Sequence, residues 1–211
     1  MSDINDILDA DNTGGITYYD EAQDTPKVGM VEGSYPCHIT QVKAVVRTVK
    51  KVHQALIYNV KVKIAGKCEA HNTFQAIDYD GNKVEVNGSQ FEGREVNASG
   101  IFKFLHPGKD DEFEPNPGGN KGYANFCAVI GKEPQTKEIE HNGEMISVKE
   151  LPDITETDIL GQPVMAVIGR GKPWKSDRDG KVRTSLEVKW FRKWADGEKV
   201  DVDADDDDLP F

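Results

Sequence analysis

Alternating hydrophobic and polar positions mark the first third of the chain. The stretch from Ser34 to Lys50 is rich in valine, isoleucine and threonine, and His53 to Ile64 alternates more clearly. A period of two residues is typical of β-strands, and the short basic stretch between these two predicts a hairpin. Asp80-Gly81-Asn82 predicts the turn of another hairpin.

The second half of the chain contains a long loop, a short helix and a closing pair of strands. Prolines and glycines indicate a loop over 106–120, and 121–130 favours a short helix that ends near Gly131. Strands are predicted for 161–169 and 183–194, with a basic turn between them. We therefore expect a mainly β fold: an OB-fold-like Greek-key β-barrel with a short helix and extended hairpins, flanked by acidic flexible ends. A β-sandwich is the alternative architecture.

The net charge of −11 is unevenly distributed along the chain. Residues 1–27 carry a net charge of −6 and residues 196–211 a net charge of −7, whereas 28–195 carry +2. This distribution predicts an acidic N-terminal arm over 1–27 and a disordered acidic tail over 196–211, with the expected OB-fold barrel between them over 28–195. A slightly basic body can bind a polyanion in spite of the total charge, because local patches decide which partner binds.

Two basic segments suggest the ligand. Residues 33–68 contain seven bases and no acid, and residues 170–193 contain nine bases against three acids, with all three tryptophans in or beside that segment. Single-stranded nucleic acid requires this combination, because cations bind its phosphates and flat side chains stack on its unpaired bases. The predicted DNA contacts are Lys43, Arg47, Lys50, Lys51, Tyr58, Lys61, Lys63, Arg170, Lys172, Trp174, Lys175, Arg178, Lys181, Arg183 and Trp194.

The three tryptophans differ in their expected roles. Trp174 lies in a Lys-Pro-Trp-Lys turn without apolar neighbours, which favours ligand contact. Trp190 falls on one strand face with Leu186 and Val188, so the pattern favours a core position for it. Trp194 fits either role. The basic hairpin near Lys50 also fits a solvated strand edge protected by lysines.

The chain ends in Asp-Asp-Asp-Asp-Leu-Pro-Phe. An exposed terminal phenylalanine gains nothing unless a pocket receives its ring, and the aspartates suit a basic rim around such a pocket. This tip closely resembles that of bacterial and bacteriophage single-stranded DNA-binding proteins, which have an OB-fold core and an acidic tail ending in Pro-Phe or Phe. The β-rich core, with Leu160-Gly161-Gln162 opening its closing hairpin, looks more like the phage-encoded versions.

The resemblance implies sequence-tolerant protection of single-stranded DNA during replication, recombination and repair. It also implies recruitment of polymerase, helicase, nuclease or recombinase partners through the tail, with possible self-association, in the cytoplasm of a bacterial host. The implied partner contacts are Asp205, Asp206, Asp207, Asp208, Leu209, Pro210 and Phe211. An acidic interaction adaptor or DNA mimic that binds basic proteins is the alternative function.

Other chemistry has weaker support in the sequence. Three cysteines without a framework spacing favour a reducing cytoplasm, and no apolar run is long enough to cross a membrane. Cys37-His38 with Cys68 and His71 could offer zinc ligands, but neighbouring residues on a strand point to opposite faces. The Asp9–Asp20 stretch partly matches a calcium loop. No catalytic motif is present, so we expect neither enzymatic activity nor a cofactor.

Overall fold

The computed structural model describes residues 28–49, 53–105 and 119–202, and these residues are mainly β-strand. Helix α1 spans Lys121–Val129, and a one-turn helix, α2, spans Glu156–Ile159. None of the helices in these ranges is both long and apolar enough to cross a membrane. The strands are β1 Gly33–Val49, β2 His53–Ile64, β3 Thr73–Ile77, β4 Lys83–Asn87, β5 Glu95–Phe104, β6 Gln135–His141, β7 Glu144–Glu150, β8 Pro163–Arg170, β9 Trp174–Lys175, β10 Val182–Arg183 and β11 Leu186–Lys193.

Five of these strands close into a barrel in the order β1-β2-β5-β11-β8. Neighbouring strands are antiparallel except β5 and β11, which run parallel and pair at Ala98 and Val188. Helix α1 lies in the connection between β5 and β8. This Greek-key order, with a helix between the third and fourth barrel strands, is an OB-fold-like barrel and confirms the predicted fold class.

The alternation in β2 explains how the barrel interior is filled. Tyr58, Val60, Val62 and Ile64 are buried, whereas the lysines between them face outward. β1 and β8 contribute the other buried side chains of this interior. These are Tyr35, Cys37, Ile39, Val164, Ala166 and Ile168. Each large apolar side chain buried in this way contributes about 1.5–3 kcal/mol to folding.

Two buried tyrosines connect the barrel to the segment that precedes α2. The Tyr58 hydroxyl donates to the carbonyl of Ile154 at 2.6 Å, and the Tyr123 hydroxyl donates to that of Pro152 at 2.7 Å. The two rings stack with their centroids 6.3 Å apart. Burial raises the pKa of both phenols, so each stays protonated and keeps donating. The pair therefore fixes α1 against the barrel.

Three hairpins extend from the barrel. The β3–β4 hairpin packs through Phe74, whose ring stacks on Tyr35 with centroids 4.9 Å apart. The β6–β7 hairpin turns at Asn142 and Gly143, which both have positive φ as a type I′ turn requires. Its two strands were not among those predicted from the sequence. The third hairpin, β9–β10, lies between β8 and β11.

Residues 195–202, here called the C-terminal strap, run back along the barrel. The Val200 amide donates to the Gly161 carbonyl at 3.1 Å, and His38 Nε2 donates to the Glu198 carbonyl at 3.1 Å. Gly161 has a φ of +75°, and a Cβ there would lie 2.0 Å from the Val200 oxygen. The predicted tail boundary at 196 is therefore too early, because residues 197–200 still contact the barrel.

Candidate nucleic-acid interface

The two basic segments of the sequence fall on the parts of an OB-fold-like barrel that are suited to ligand contact. OB-folds bind oligonucleotides on the face of their second and third strands and with the loops after the first and fourth strands. Here those strands are β2 and β5, and those loops are 50–52 and 171–185. Loop 50–52, with Lys50 and Lys51, lies outside the described residues.

The β1–β2 hairpin presents exposed cations. Lys43 and Arg47 are exposed on β1, and Lys63 is exposed on β2. Lys61 is less accessible, and its ammonium forms an ion pair with Glu95 of β5 at 3.1 Å. The alternation of β2 thus places these lysines on the outer surface, as the sequence indicated.

Tyr58 is not a DNA contact. Its side chain is 2% exposed, and its hydroxyl is bonded to the Ile154 carbonyl, so no ring face is left for a base. The prediction was wrong because Tyr58 follows the inward face of β2 rather than the face of Lys61 and Lys63. Its role is to hold the barrel against the 152–154 segment.

The β9–β10 hairpin combines a tryptophan with several cations. Trp174 is half-exposed and lies directly opposite Arg183 in the strand register, so both side chains share one face of the hairpin. Arg183 also forms an ion pair with Asp179 at 2.6 Å, and this guanidinium lowers the pKa of the Asp179 carboxyl. The other predicted contacts here, Lys172, Lys175, Arg178 and Lys181, are exposed.

An aromatic groove of about 600 Å³ opens between β5, β11 and α1. After the Ala98–Val188 pair, β5 stays paired with β2 and β11 stays paired with β8, so the two strands separate. Phe102 from β5 and Trp190 from β11 both line the gap. The groove is lined by Gly100, Ile101, Phe102, Phe104, Gly119, Gly122, Asn125, Phe126, Val188, Lys189, Trp190 and Phe191.

The rings of the groove are available to a ligand. Trp190 is 53% exposed and Phe102 is 37% exposed. Phe102 stacks on Phe104 with ring centroids 6.3 Å apart, so the two rings lie nearly parallel to each other. Phe191 faces inward instead, with its ring 5.4 Å from that of Phe126. An exposed aromatic surface that lines a groove is a candidate ligand contact.

The exposed position of Trp190 corrects the sequence interpretation. Leu186 and Val188 face the core as expected, but the β8–β11 register shifts between Val188 and Trp190. Such a bulge adds one residue and moves every later side chain to the other face. Trp190 therefore points outward although strict alternation places it in the core.

The sequence contains a pattern that could have predicted one wall of the groove. Strand β5 was not predicted, because Gly100 interrupts its alternation. The structure requires glycine at this position, since a Cβ there would lie 2.3 Å from Ile57. Phe102 and Phe104, separated by Lys103, form the alternating pair that could have revealed it. Sequence reasoning therefore missed Phe102 and Phe104.

Trp194 and Arg170 occupy crowded surroundings. The Trp194 ring lies 5.4 Å from the His38 ring, and a Cβ on Gly197 of the strap would lie 2.6 Å from the indole. Arg170 Nε forms an ion pair with Glu32 at 2.7 Å. Both side chains reach the surface, so their DNA contact stays a prediction.

The alternative metal sites gain no support from the geometry. Cys37 lies in the core, where burial raises its pKa to about 12, whereas His38 faces the strap. Across 28–49, 53–105 and 119–202 there is no cluster of three or more histidine, cysteine or acidic side chains placed to hold a metal. The Asp9–Asp20 stretch lies outside the described residues. The predicted partner contacts, from Asp205 to Phe211, also lie outside them.

Comparison with known protein families, with curated proteins and with solved structures finds no match to this chain.

Proposed function

We propose that this protein binds single-stranded DNA with little sequence preference. The observation that carries the proposal is the aromatic groove, in which Phe102 and Trp190 lie exposed between the strands of an OB-fold-like barrel. Lys189 lines the same groove, so a flat apolar surface and a cation are adjacent. Bases can stack on the aromatic surface, and phosphates can pair with the cation.

The chemistry of the groove explains why binding is expected to tolerate sequence changes. Each stacked base contributes about 1–3 kcal/mol, and every base has a π-face. Among the described residues that line the groove, Asn125 alone has a side-chain amide, so few of these groups can read base edges by hydrogen bonding. The outward cations of β1, β2 and the β9–β10 hairpin then follow the phosphate backbone.

The acidic tail supports a recruiting role. The strap brings the chain to Val202, which lines a cavity of about 430 Å³ together with Lys63 and His38. The chain thus reaches residue 202 beside Lys63 of β2. By resemblance of its tip, we propose that Leu209, Pro210 and Phe211 bind replication, recombination or repair proteins in the cytoplasm of a bacterial host, which includes a phage-infected cell.

A competition assay tests the proposal. A labelled thirty-nucleotide oligo(dT) is bound first, and unlabelled mixed-sequence single strand, duplex and RNA of the same length are added as competitors. We expect both DNA single strands to compete similarly and the duplex to compete much less. Equal competition by duplex, or retention of basic proteins but not of DNA, contradicts the proposal and favours the adaptor alternative.

A further inference from the structure

Two cations of the proposed interface are already paired with carboxylates. Lys61 Nζ lies 3.1 Å from Glu95 Oε2 on the outer face of β2 and β5. Lys189 Nζ, at the groove, lies 2.5 Å from Glu187 Oε1. Both carboxylates belong to barrel strands, so they are part of the rigid surface that a DNA strand would cross.

The same pattern recurs at the connection between β8 and β11. Arg170 pairs with Glu32, and Arg183 pairs with Asp179. Asp179 also accepts from the Lys181 amide, which makes it part of the hairpin turn. Glu95 and Glu187 make no such backbone contact among the described residues, so their carboxylates serve only the lysines.

We propose that Glu95 and Glu187 compete with DNA phosphates for Lys61 and Lys189, and thereby limit the affinity for single-stranded DNA. This inference rests on the proposed function. A carboxylate and a phosphate offer an ammonium group the same kind of charged oxygen acceptor. Binding of the strand therefore exchanges one anion for another, and the displaced carboxylate remains close enough to return when the strand leaves.

The lysines do not need these carboxylates to hold their positions. The stem of Lys189 lies across Gly169, where a Cβ would come within 3.3 Å of Lys189 Cγ. The side chain of Lys61 is only 21% exposed on the outer face of β2. The pairs are solvent-accessible, and surface ion pairs are weak enough for a phosphate to displace them. We therefore expect the carboxylates to act mainly as competitors of phosphate for the lysines, and not as groups that hold the lysines in position.

The test uses Glu95→Gln, Glu187→Gln and the double variant in the full chain. Glutamine keeps the shape and removes the charge. We expect each single variant to bind oligo(dT) about two- to fivefold more tightly, and the double variant to combine both gains, because the sites are on different strands. The dependence of log affinity on log salt should steepen by about 0.7 for each lysine that is freed.

Glu150→Gln is the matched control. Glu150 pairs with Lys137 at 3.9 Å on the β6–β7 hairpin, so the variant removes the same charge away from the interface. Unchanged affinity in this control is expected. Equal tightening in it shows an effect of total charge and overturns the inference.

The remaining outcomes separate the inference from the proposed function. If the unsubstituted protein binds oligo(dT) and the Glu95 and Glu187 variants bind equally or more weakly, only the inference fails. If neither the unsubstituted protein nor any variant binds oligo(dT), the proposed function fails with it. Thermal melts of all variants exclude unfolding as the reason for weaker binding.

Discussion

The side-chain amide of Asn120 pairs with the backbone of Phe104 through two hydrogen bonds. Its Oδ1 accepts from the Phe104 amide at 2.8 Å, and its Nδ2 donates to the Phe104 carbonyl at 3.2 Å. Asn120 occupies the N-cap of α1 but makes no side-chain capping bond. The Asn120 side chain therefore pairs with the backbone as a neighbouring strand would. It connects the start of α1 to the end of β5, beside the aromatic groove.

Replacing Asn120 by alanine should lower the free energy of unfolding by about 1–3 kcal/mol, because two backbone groups of Phe104 lose their partner. Single-stranded DNA binding should weaken as well, since the groove loses a fixed edge. Urea unfolding and oligo(dT) titration measure the two effects. Asn120→Asp keeps the acceptor and loses the donor, so it should cost less. An alanine variant as stable as the unsubstituted protein contradicts this role.

Filling the groove should separate binding from stability. A Cβ on Gly122 would meet no atom within 4 Å, and the residue lies inside α1 at the groove. Gly122→Leu should therefore stabilise the helix by about 0.5–1 kcal/mol and yet reduce oligo(dT) affinity by occupying the space for a base. Undiminished binding in a stably folded Gly122→Leu variant shows that DNA does not enter the groove.

Replacing single aromatic side chains of the groove tests the same site by removing its stacking contacts. Trp190→Ala and Phe102→Ala should each weaken oligo(dT) binding by about 1–3 kcal/mol if one base stacks on each ring. Tyr79→Ala is the control, because Tyr79 is 79% exposed near the tip of the β3–β4 hairpin, on another part of the surface. Similar losses in all three variants argue against a specific aromatic site.

Thiol reactivity reports on the barrel itself. Burial raises the pKa of Cys37 to about 12 and also raises that of Cys127, whereas Cys68 is partly exposed. Only the thiolate reacts, so at pH 8 Ellman's reagent should modify one thiol quickly in the native protein and all three in urea. Rapid reaction of all three thiols without denaturant contradicts the packed barrel.

Deleting residues 203–211 should strengthen oligo(dT) binding at low salt. This segment contains five aspartates and no base. It can extend about 30 Å from Val202 and so reach the lysines of β2. The competition is electrostatic and should fade as the Debye length falls from about 30 Å at 0.01 M salt to about 3 Å at 1 M. Unchanged affinity at low salt shows that the tail does not bind to the proposed DNA-binding surface of the protein.

Deleting Phe211 alone should leave that electrostatic effect nearly intact and abolish pull-down of replication or recombination partners. The deletion must not extend back to residue 196, because the strap makes structural contacts with Gly161 and His38. Partners that still bind the protein without Phe211 contradict the role inferred from the tip.

The parts of the fold that follow a strict period were predictable from the sequence. Strands β1 and β2 appear where alternation placed them, and α1 spans 121–129 within the predicted 121–130. Strand β5 was missed because Gly100 breaks its period. Strands β6 and β7 were missed because their outward faces are polar and their apolar residues few.

The site was harder to predict than the fold, because it depends on irregularities. A bulge turns Trp190 outward. Tyr58, by contrast, follows the alternation of β2 into the interior, as Val60 and Val62 do. Charge segregation located the outward lysines and the β9–β10 hairpin, because exposed cations need only local sequence to be recognised. The groove requires two strands that separate in space, and no local pattern reports that separation.

Tryptophan fluorescence during titration with oligo(dT) tests the central claim most directly. Trp174 and Trp190 are each about half-exposed, at 51% and 53%, and both lie on proposed contact surfaces. We expect saturable quenching by oligo(dT), little quenching by duplex of equal length, and weaker binding as salt rises. Replacing both residues by phenylalanine should remove most of the quenching. Emission that does not change at saturating oligo(dT), or equal affinity for duplex, contradicts the account.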